Sequence, residues 1–192
     1  MQITRKAFIL LAILSLLVMS PIGLVLAVFL QEKSIYDLFF SSNYTWMAQI
    51  LIGTAYGIAG AAIATSLVKI PFFEPVKSFF GETFKGVQLS IFDILLISVC
   101  VGIGEELLFR AGVQPFLGVW ITSIVFVIAH GIYLDPRRMP FFVIGLFMIL
   151  LSSGLGYLFE YVSISAAIVA HAVYDAISLG VIVRENSTQR SE

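Results

Sequence analysis

Two adjacent carboxylates, Glu105 and Glu106, lie in a stretch of the chain that is otherwise almost entirely apolar. Arg110 follows Glu106 by four residues, so the two side chains share one helical face and can form an ion pair. Glu105 points about 100° away from Glu106 and is not the natural partner of Arg110. A carboxylate left free in this way can take a proton from water. We therefore predict a catalytic Glu105 and a supporting ion pair of Glu106 and Arg110.

The two histidines of the chain lie in two further apolar stretches. His171 and Asp175 are four residues apart, where the carboxylate can hold the imidazole in one tautomer, and His130 follows Phe126 by four residues. An ionised side chain at the centre of a bilayer costs roughly 2.5–3.5 kcal/mol on insertion scales, so such groups are usually functional. Together with Glu105, these three residues predict an intramembrane catalytic site.

The composition identifies the solvent in which the chain folds. Of the 192 residues, 59% are hydrophobic and 12% are charged, against about 25% charged in soluble domains. Continuous apolar runs of about 20 residues indicate membrane-spanning helices. We predict an all-α, polytopic transmembrane bundle forming one membrane domain over residues 1–192, with about six spans at 7–30, 45–68, 88–113, 117–134, 140–158 and 162–183.

Basic residues predict the orientation of these spans. Of the 11 Lys and Arg residues, nine fall on one side of the membrane in this six-span arrangement and only Lys33 falls on the other. Arg110 lies within a span. Because basic residues favour the cytoplasmic side, we predict a multi-pass protein with both termini in the cytoplasm and a disordered tail at 184–192. The nine residues on the predicted cytoplasmic side are Arg5, Lys6, Lys69, Lys77, Lys85, Arg137, Arg138, Arg184 and Arg190.

Helix geometry tests whether the candidate residues lie at a common depth. A turn expected at Gln114–Pro115 places Glu105 and His130 roughly 14 and 24 Å from it at 1.5 Å per residue. His171 lies roughly 15 Å into its own span by the same measure. The residues can converge if tilt or a kink absorbs the difference of about 10 Å between Glu105 and His130.

Three motifs in order resemble those of the CPBP or Abi family of intramembrane proteases, which includes the type II CAAX prenyl endopeptidases. They are Glu-Glu-x-x-x-Arg at residues 105–110, Phe-x-x-x-His at 126–130 and His-x-x-x-Asp at 171–175. The match covers about residues 87–183, which we interpret as the protease core. Asp175 stands where the prenyl endopeptidases usually carry Asn.

The resemblance implies peptide hydrolysis by water. Glu105 and His130 would activate the water, while His171 and Asp175 would stabilise the oxyanion or bind a metal. A divalent metal such as zinc on Glu105, His130 and His171 is one alternative, and metal-free chemistry is the other. No Ser–His or Cys–His nucleophile pair is evident, and Cys100 is the only cysteine.

The implied substrate is a hydrophobic or lipidated peptide, including a prenylated CAAX-type protein, reached among membrane lipids in the plasma membrane of a bacterium. The net charge of −1 indicates no nucleic-acid partner, and the sequence does not indicate an oligomeric state. One alternative is a catalytically silent family member acting as a scaffold or as a bacteriocin self-immunity protein. Another is a small transporter or proton relay, which the absence of an evident internal repeat disfavours.

Overall fold

A computed structural model describes residues 4–131 and 138–188 of the chain, and within these residues it shows helices and no β-strand. The prediction of an all-α protein is therefore confirmed. In chain order the helices are α1 Arg5–Leu30, α2 Ile35–Phe40, α3 Trp46–Leu67, α4 Glu74–Thr83, α5 Ile91–Glu106, α6 Gln114–Ala129, α7 Met139–Tyr161 and α8 Ile164–Thr188. A π-helical segment, Leu107–Val113, joins α5 to α6, and a short 3-10 turn, Pro71–Phe73, precedes α4.

Within the described residues, 4 segments are long and apolar enough to cross a membrane: α1, α3, α7 and Ile164–Asn186 of α8. They coincide with four of the predicted spans, so the chain is a polytopic helical membrane protein. The predicted third span contains α5 and the π-helical segment, which carry four residues of charged type. The predicted fourth span, 117–134, overlaps α6, which has only 16 residues and is kinked at Gly118. These two less typical spans carry most of the candidate site.

The chain reverses at Gly118, so the prediction of a turn at Gln114–Pro115 is wrong. The helix continues through Pro115, which is tolerated near the start of α6 because only a backbone donor is missing there. Gly118 has φ 73° and ψ 168°, a conformation essentially restricted to glycine. Glu105 and His130 then lie roughly 20 and 18 Å from the turn at 1.5 Å per residue. The predicted mismatch in depth disappears.

Two pairs of helices approach closely because glycine places no Cβ between them. Gly53 and Gly57 of α3 lie against the backbone of α8, and a Cβ on Gly53 would be 2.5 Å from the carbonyl oxygen of Ala166. A Cβ on Gly23 of α1 would collide with the backbone of Leu107 in the π-helical segment. Small residues commonly allow such contacts between membrane helices. The packing fixes α8 and the π-helical segment, both of which carry site residues.

The starts of α1 and α5 meet at one end of the bundle. Arg5 donates two hydrogen bonds of 2.8 Å to Asp93, whose side chain is buried, and Asp93 also forms a capping box with Ser90. The six predicted spans require these two helix starts to lie on the same side, as they do. Of the residues used to predict the orientation, Arg137 and Arg190 lie outside the described residues.

Helix α8 continues to Thr188 and so extends into the segment at 184–192 for which disorder was predicted. Extending an existing helix avoids the cost of nucleation, so a polar sequence can prolong a membrane span. The side-chain amide of Asn186 also donates to the carbonyl of Gly81 at 3.4 Å and ties this turn to α4. Residues 189–192 of the predicted tail lie outside the described residues.

Candidate active site

Three helices present the residues that the sequence singled out. Glu105 and Glu106 are the last two residues of α5, and the π-helical segment begins directly after them. His130 is the C-cap of α6, while His171 and Asp175 lie on successive turns of α8. Short π-helical segments occur frequently at functional sites. The candidate site therefore forms where α5 ends, α6 ends and α8 crosses them.

The side chains of all four candidate catalytic residues meet in space. Oε2 of Glu105 lies 3.3 Å from Nε2 of His130 and 3.8 Å from Nε2 of His171. Oδ2 of Asp175 lies 3.5 Å from the same nitrogen of His171. The reversal at Gly118 brings Glu105 and His130 together, and its effect is also visible in Phe109 and Phe126, whose ring centroids are 5.0 Å apart.

Hydrogen bonds to the other ring nitrogens set the tautomers of both histidines. Nδ1–H of His130 donates to the carbonyl of Phe126 at 2.8 Å, and Nδ1–H of His171 donates to Oε1 of Glu106 at 2.7 Å. A backbone carbonyl and an ionised carboxylate can only accept hydrogen bonds. The hydrogen in each of these two bonds must therefore be on Nδ1 of the histidine. The sequence indicated Asp175 as the carboxylate that holds the ring of His171. In the structure, Glu106 accepts from Nδ1–H and so has this role. This correction follows because Glu106 packs beside His171 across the α5–α8 interface.

The resulting arrangement turns three acceptor atoms toward one another. In their neutral forms, both Nε2 atoms present lone pairs to the carboxylate of Glu105. Oε2 of Glu105 is buried and receives no hydrogen bond from the described residues. A buried acceptor without a donor is costly, so a hydrogen must be supplied by a water molecule or by a protonated imidazole. At 3.3 Å the Glu105 and His130 atoms leave no space for a water molecule between them, so the geometry suits a water molecule bound beside this pair.

Beneath these groups lies a fully buried ion pair. Nε of Arg110 donates to Oε2 of Glu106 at 3.1 Å, and neither side chain is exposed to any measurable degree. The remaining guanidinium hydrogens point to Gln114 Oε1 at 3.3 Å, Ser123 Oγ at 3.5 Å and Ser152 Oγ at 2.6 Å. Buried charges need such partners. The carboxylate of Glu106 thus bridges Arg110 and His171.

Sequence reasoning missed several residues of this network. Gln114 follows Glu106 and Arg110 at a second interval of four residues, a spacing that could have identified it. Ser152 comes from α7 and carries no comparable signal. Phe126 was noted only as part of a motif, yet its ring lies 4.3 Å from the ring of His130 and 5.5 Å from the guanidinium carbon of Arg110. The ring of Phe126 is therefore an apolar group in contact with both Arg110 and His130.

Metal binding places a separate geometric requirement on the side chains of the candidate site. A zinc ion requires nitrogen and oxygen ligands at about 2.0–2.2 Å, arranged around one point. Among the described residues, no group of three or more His, Cys, Asp or Glu side chains is arranged to hold a metal ion. The alternative of zinc on Glu105, His130 and His171 is therefore not supported by this geometry.

Comparison with known proteins identifies the part of the chain that carries the site. The family model described as Type II CAAX prenyl endopeptidase Rce1-like matches residues 87–177. Over this segment the chain is similar to the Rce1-like family. No curated protein and no solved structure matches the chain. The Rce1-like segment runs from just before α5 into α8 and includes every residue of the candidate site.

Proposed function

We propose that the protein is an intramembrane endopeptidase that hydrolyses a peptide bond with a water molecule activated by Glu105 and His130. The observation that carries the proposal is the convergence of these two side chains with His171 around a buried carboxylate oxygen that lacks a donor. The match to the Rce1-like family over residues 87–177 supports the same class of reaction, because that family is described as one of type II CAAX prenyl endopeptidases.

The proposed first step is addition of water to the scissile carbonyl. Glu105 accepts one proton while the water oxygen bonds to the carbonyl carbon, which generates a tetrahedral oxyanion. A protonated His171 would donate from Nε2 to that oxyanion, because Glu106 holds its other nitrogen in place. Asp175 lies 3.5 Å from the same nitrogen and would stabilise the positive charge on the ring.

Collapse of the oxyanion breaks the C–N bond and requires a proton on the leaving nitrogen. The proton taken by Glu105 supplies it, directly or through Nε2 of His130 at 3.3 Å. The products are a carboxylic acid and an amine, and the site returns to its starting protonation. This route needs no covalent intermediate and no metal.

Exposure indicates the side from which substrate approaches. The side chains of His130 and Asp175 are 35% and 27% exposed, whereas those of Glu106 and Arg110 are fully buried. A substrate therefore reaches the site past His130 and Asp175. A hydrophobic or prenylated peptide suits this approach, because it can partition into the surrounding lipid. By the predicted orientation of the helices, the site opens toward the cytoplasmic side.

The test is cleavage of a synthetic farnesylated CAAX-type peptide by the purified full-length protein in liposomes, with products identified by mass spectrometry. We expect Glu105→Gln to abolish cleavage, because it removes the base and leaves the ion pair of Glu106 and Arg110 intact. The matched control is Glu82→Gln on α4, an exposed carboxylate paired with Lys85 away from the site. The control should retain full activity.

A second experiment covers substrates that are not prenylated. New N-termini would be compared by proteomics in membranes carrying the wild type or Glu105→Gln. Cleavage that depends on Glu105 in either experiment supports the proposal. Cleavage that survives in Glu105→Gln would refute the assignment of the base. Absence of Glu105-dependent cleavage in both experiments would favour the catalytically silent alternative.

A further inference from the structure

A chain of hydrogen bonds connects the surface of α7 to His171 at the candidate site. It begins at Glu160, whose Oε1 accepts from the side-chain amide of Gln114 at 3.1 Å. Gln114 accepts from Arg110, which pairs with Glu106, and Glu106 accepts from Nδ1 of His171. The links after Gln114 are buried, so the chain is shielded from competing water.

Gln114 uses nearly all of its hydrogen-bonding capacity in this chain. Its amide nitrogen donates to the carbonyl of Gly156 and to Glu160, both at 3.1 Å, while its oxygen accepts from Nη1 of Arg110 at 3.3 Å. The side chain is 2% exposed. Because both amide hydrogens go to α7, the amide oxygen is fixed in the direction of the guanidinium.

The position of this oxygen determines how Arg110 can be oriented. The planar guanidinium is directed by Glu106 at Nε, by Gln114 at Nη1 and by Ser152 at Nη2. Loss of the Gln114 contact leaves Nη1 with only the long 3.5 Å contact to Ser123 among the described residues, so this nitrogen can turn toward the anionic Glu106. Rotation toward Glu106 would pull its carboxylate away from His171.

We infer that Gln114 is a positioning residue that, through Arg110 and Glu106, holds the ring of His171 with Nδ1–H on Glu106 and Nε2 facing Glu105. The inference deepens the proposed function, since it concerns the same site, but the structural part of it can be tested without any substrate. Gln114 itself touches none of the groups proposed to react.

The chain offers a direct readout because it contains only two histidines. Full-length protein labelled with ¹⁵N in the imidazole rings would be studied in nanodiscs by long-range ¹H–¹⁵N correlation, which distinguishes protonated from unprotonated ring nitrogens. The variant is Gln114→Met, which keeps the side-chain length and removes both the donor and the acceptor. We expect the His171 ring-nitrogen signals to shift or broaden, because Nδ1–H no longer has an acceptor held in a fixed position. The His130 signals should be unchanged, because the carbonyl of Phe126 holds that ring.

Gln49→Met provides the matched control. Gln49 is 3% exposed in α3, donates to the carbonyl of Tyr44 and accepts from Ser163, and has no link to the site. This change also removes buried hydrogen bonds, so it reproduces a purely structural loss. The His171 signals should remain those of the wild type in Gln49→Met.

Unchanged His171 signals in folded Gln114→Met would overturn the inference, and so would an equal change in Gln49→Met. If Gln114→Met does not fold, Glu160→Ala decides the question, because Glu160 is exposed and its loss opens no buried cavity. A smaller change in the His171 signals is expected there, and no change would count against the inference.

With a cleavable peptide in hand, Gln114→Met should lower kcat by up to about 100-fold with little change in KM, since misplaced catalytic groups affect the chemical step. Failure to find any cleavage would concern the proposed function, while the His171 signals would still decide the role of Gln114.

Discussion

Replacing Arg110 by methionine should severely destabilise the protein. The guanidinium is fully buried and donates to side chains from α5, α6 and α7. Methionine fills similar space but leaves the carboxylate of Glu106 with His171 as its one hydrogen-bond donor among the described residues. The variant therefore strands a buried charge rather than creating a large cavity.

The expected loss follows from this geometry. Breaking a buried ion pair by removing one partner typically costs roughly 3–5 kcal/mol. Replacing both partners, in Glu106→Gln with Arg110→Met, leaves no stranded charge. The double variant should therefore lose less than the sum of the two single variants, with a coupling energy of roughly 0.5–3 kcal/mol.

The free energy of unfolding would be measured by reversible SDS titration in mixed micelles, followed by tryptophan fluorescence. The control variant is Lys85→Met, which removes a cation paired with Glu82 at 3.2 Å where both side chains are exposed. No resolved loss is expected from an exposed pair. If Arg110→Met loses no more stability than Lys85→Met, the buried network does not stabilise the fold as argued. Additive single and double variants would refute the coupling between Glu106 and Arg110.

Three further predictions concern the turn, the orientation and the metal. Gly118→Ala should lower the free energy of unfolding by about 1–3 kcal/mol, because the backbone conformation at Gly118 is essentially restricted to glycine. The control is Gly180→Ala on an open helical surface, which should leave the free energy of unfolding unchanged or raise it. In a cysteine-free background, Ser41→Cys should react with a membrane-impermeant thiol reagent in intact cells and Ser78→Cys should not, and the reverse result would invert the predicted topology. Peptide cleavage should survive dialysis against a chelator; one equivalent of zinc that disappears in His130→Ala would contradict metal-free chemistry.

The sequence alone was sufficient for the features that depend on short-range spacing or on the solvent. Long apolar runs predicted the helical membrane class, because a backbone in lipid must satisfy its own hydrogen bonds. The interval of four residues predicted that Glu106 and Arg110 share a helical face, and the structure places them 3.1 Å apart. The motifs also indicated the family of the segment at residues 87–177.

The geometry between helices required the tertiary structure. The sequence placed the turn at the proline, a residue compatible with the start of a helix, while the chain reverses at Gly118, where φ is positive. This shift by a few residues decides whether Glu105 and His130 meet. Spacing within α8 also indicated Asp175 as the carboxylate that can hold the ring of His171, whereas packing of α5 against α8 supplies Glu106 to Nδ1 at 2.7 Å. Periodicity determines which face of a helix a residue occupies, but only the packing of helices determines what that face meets.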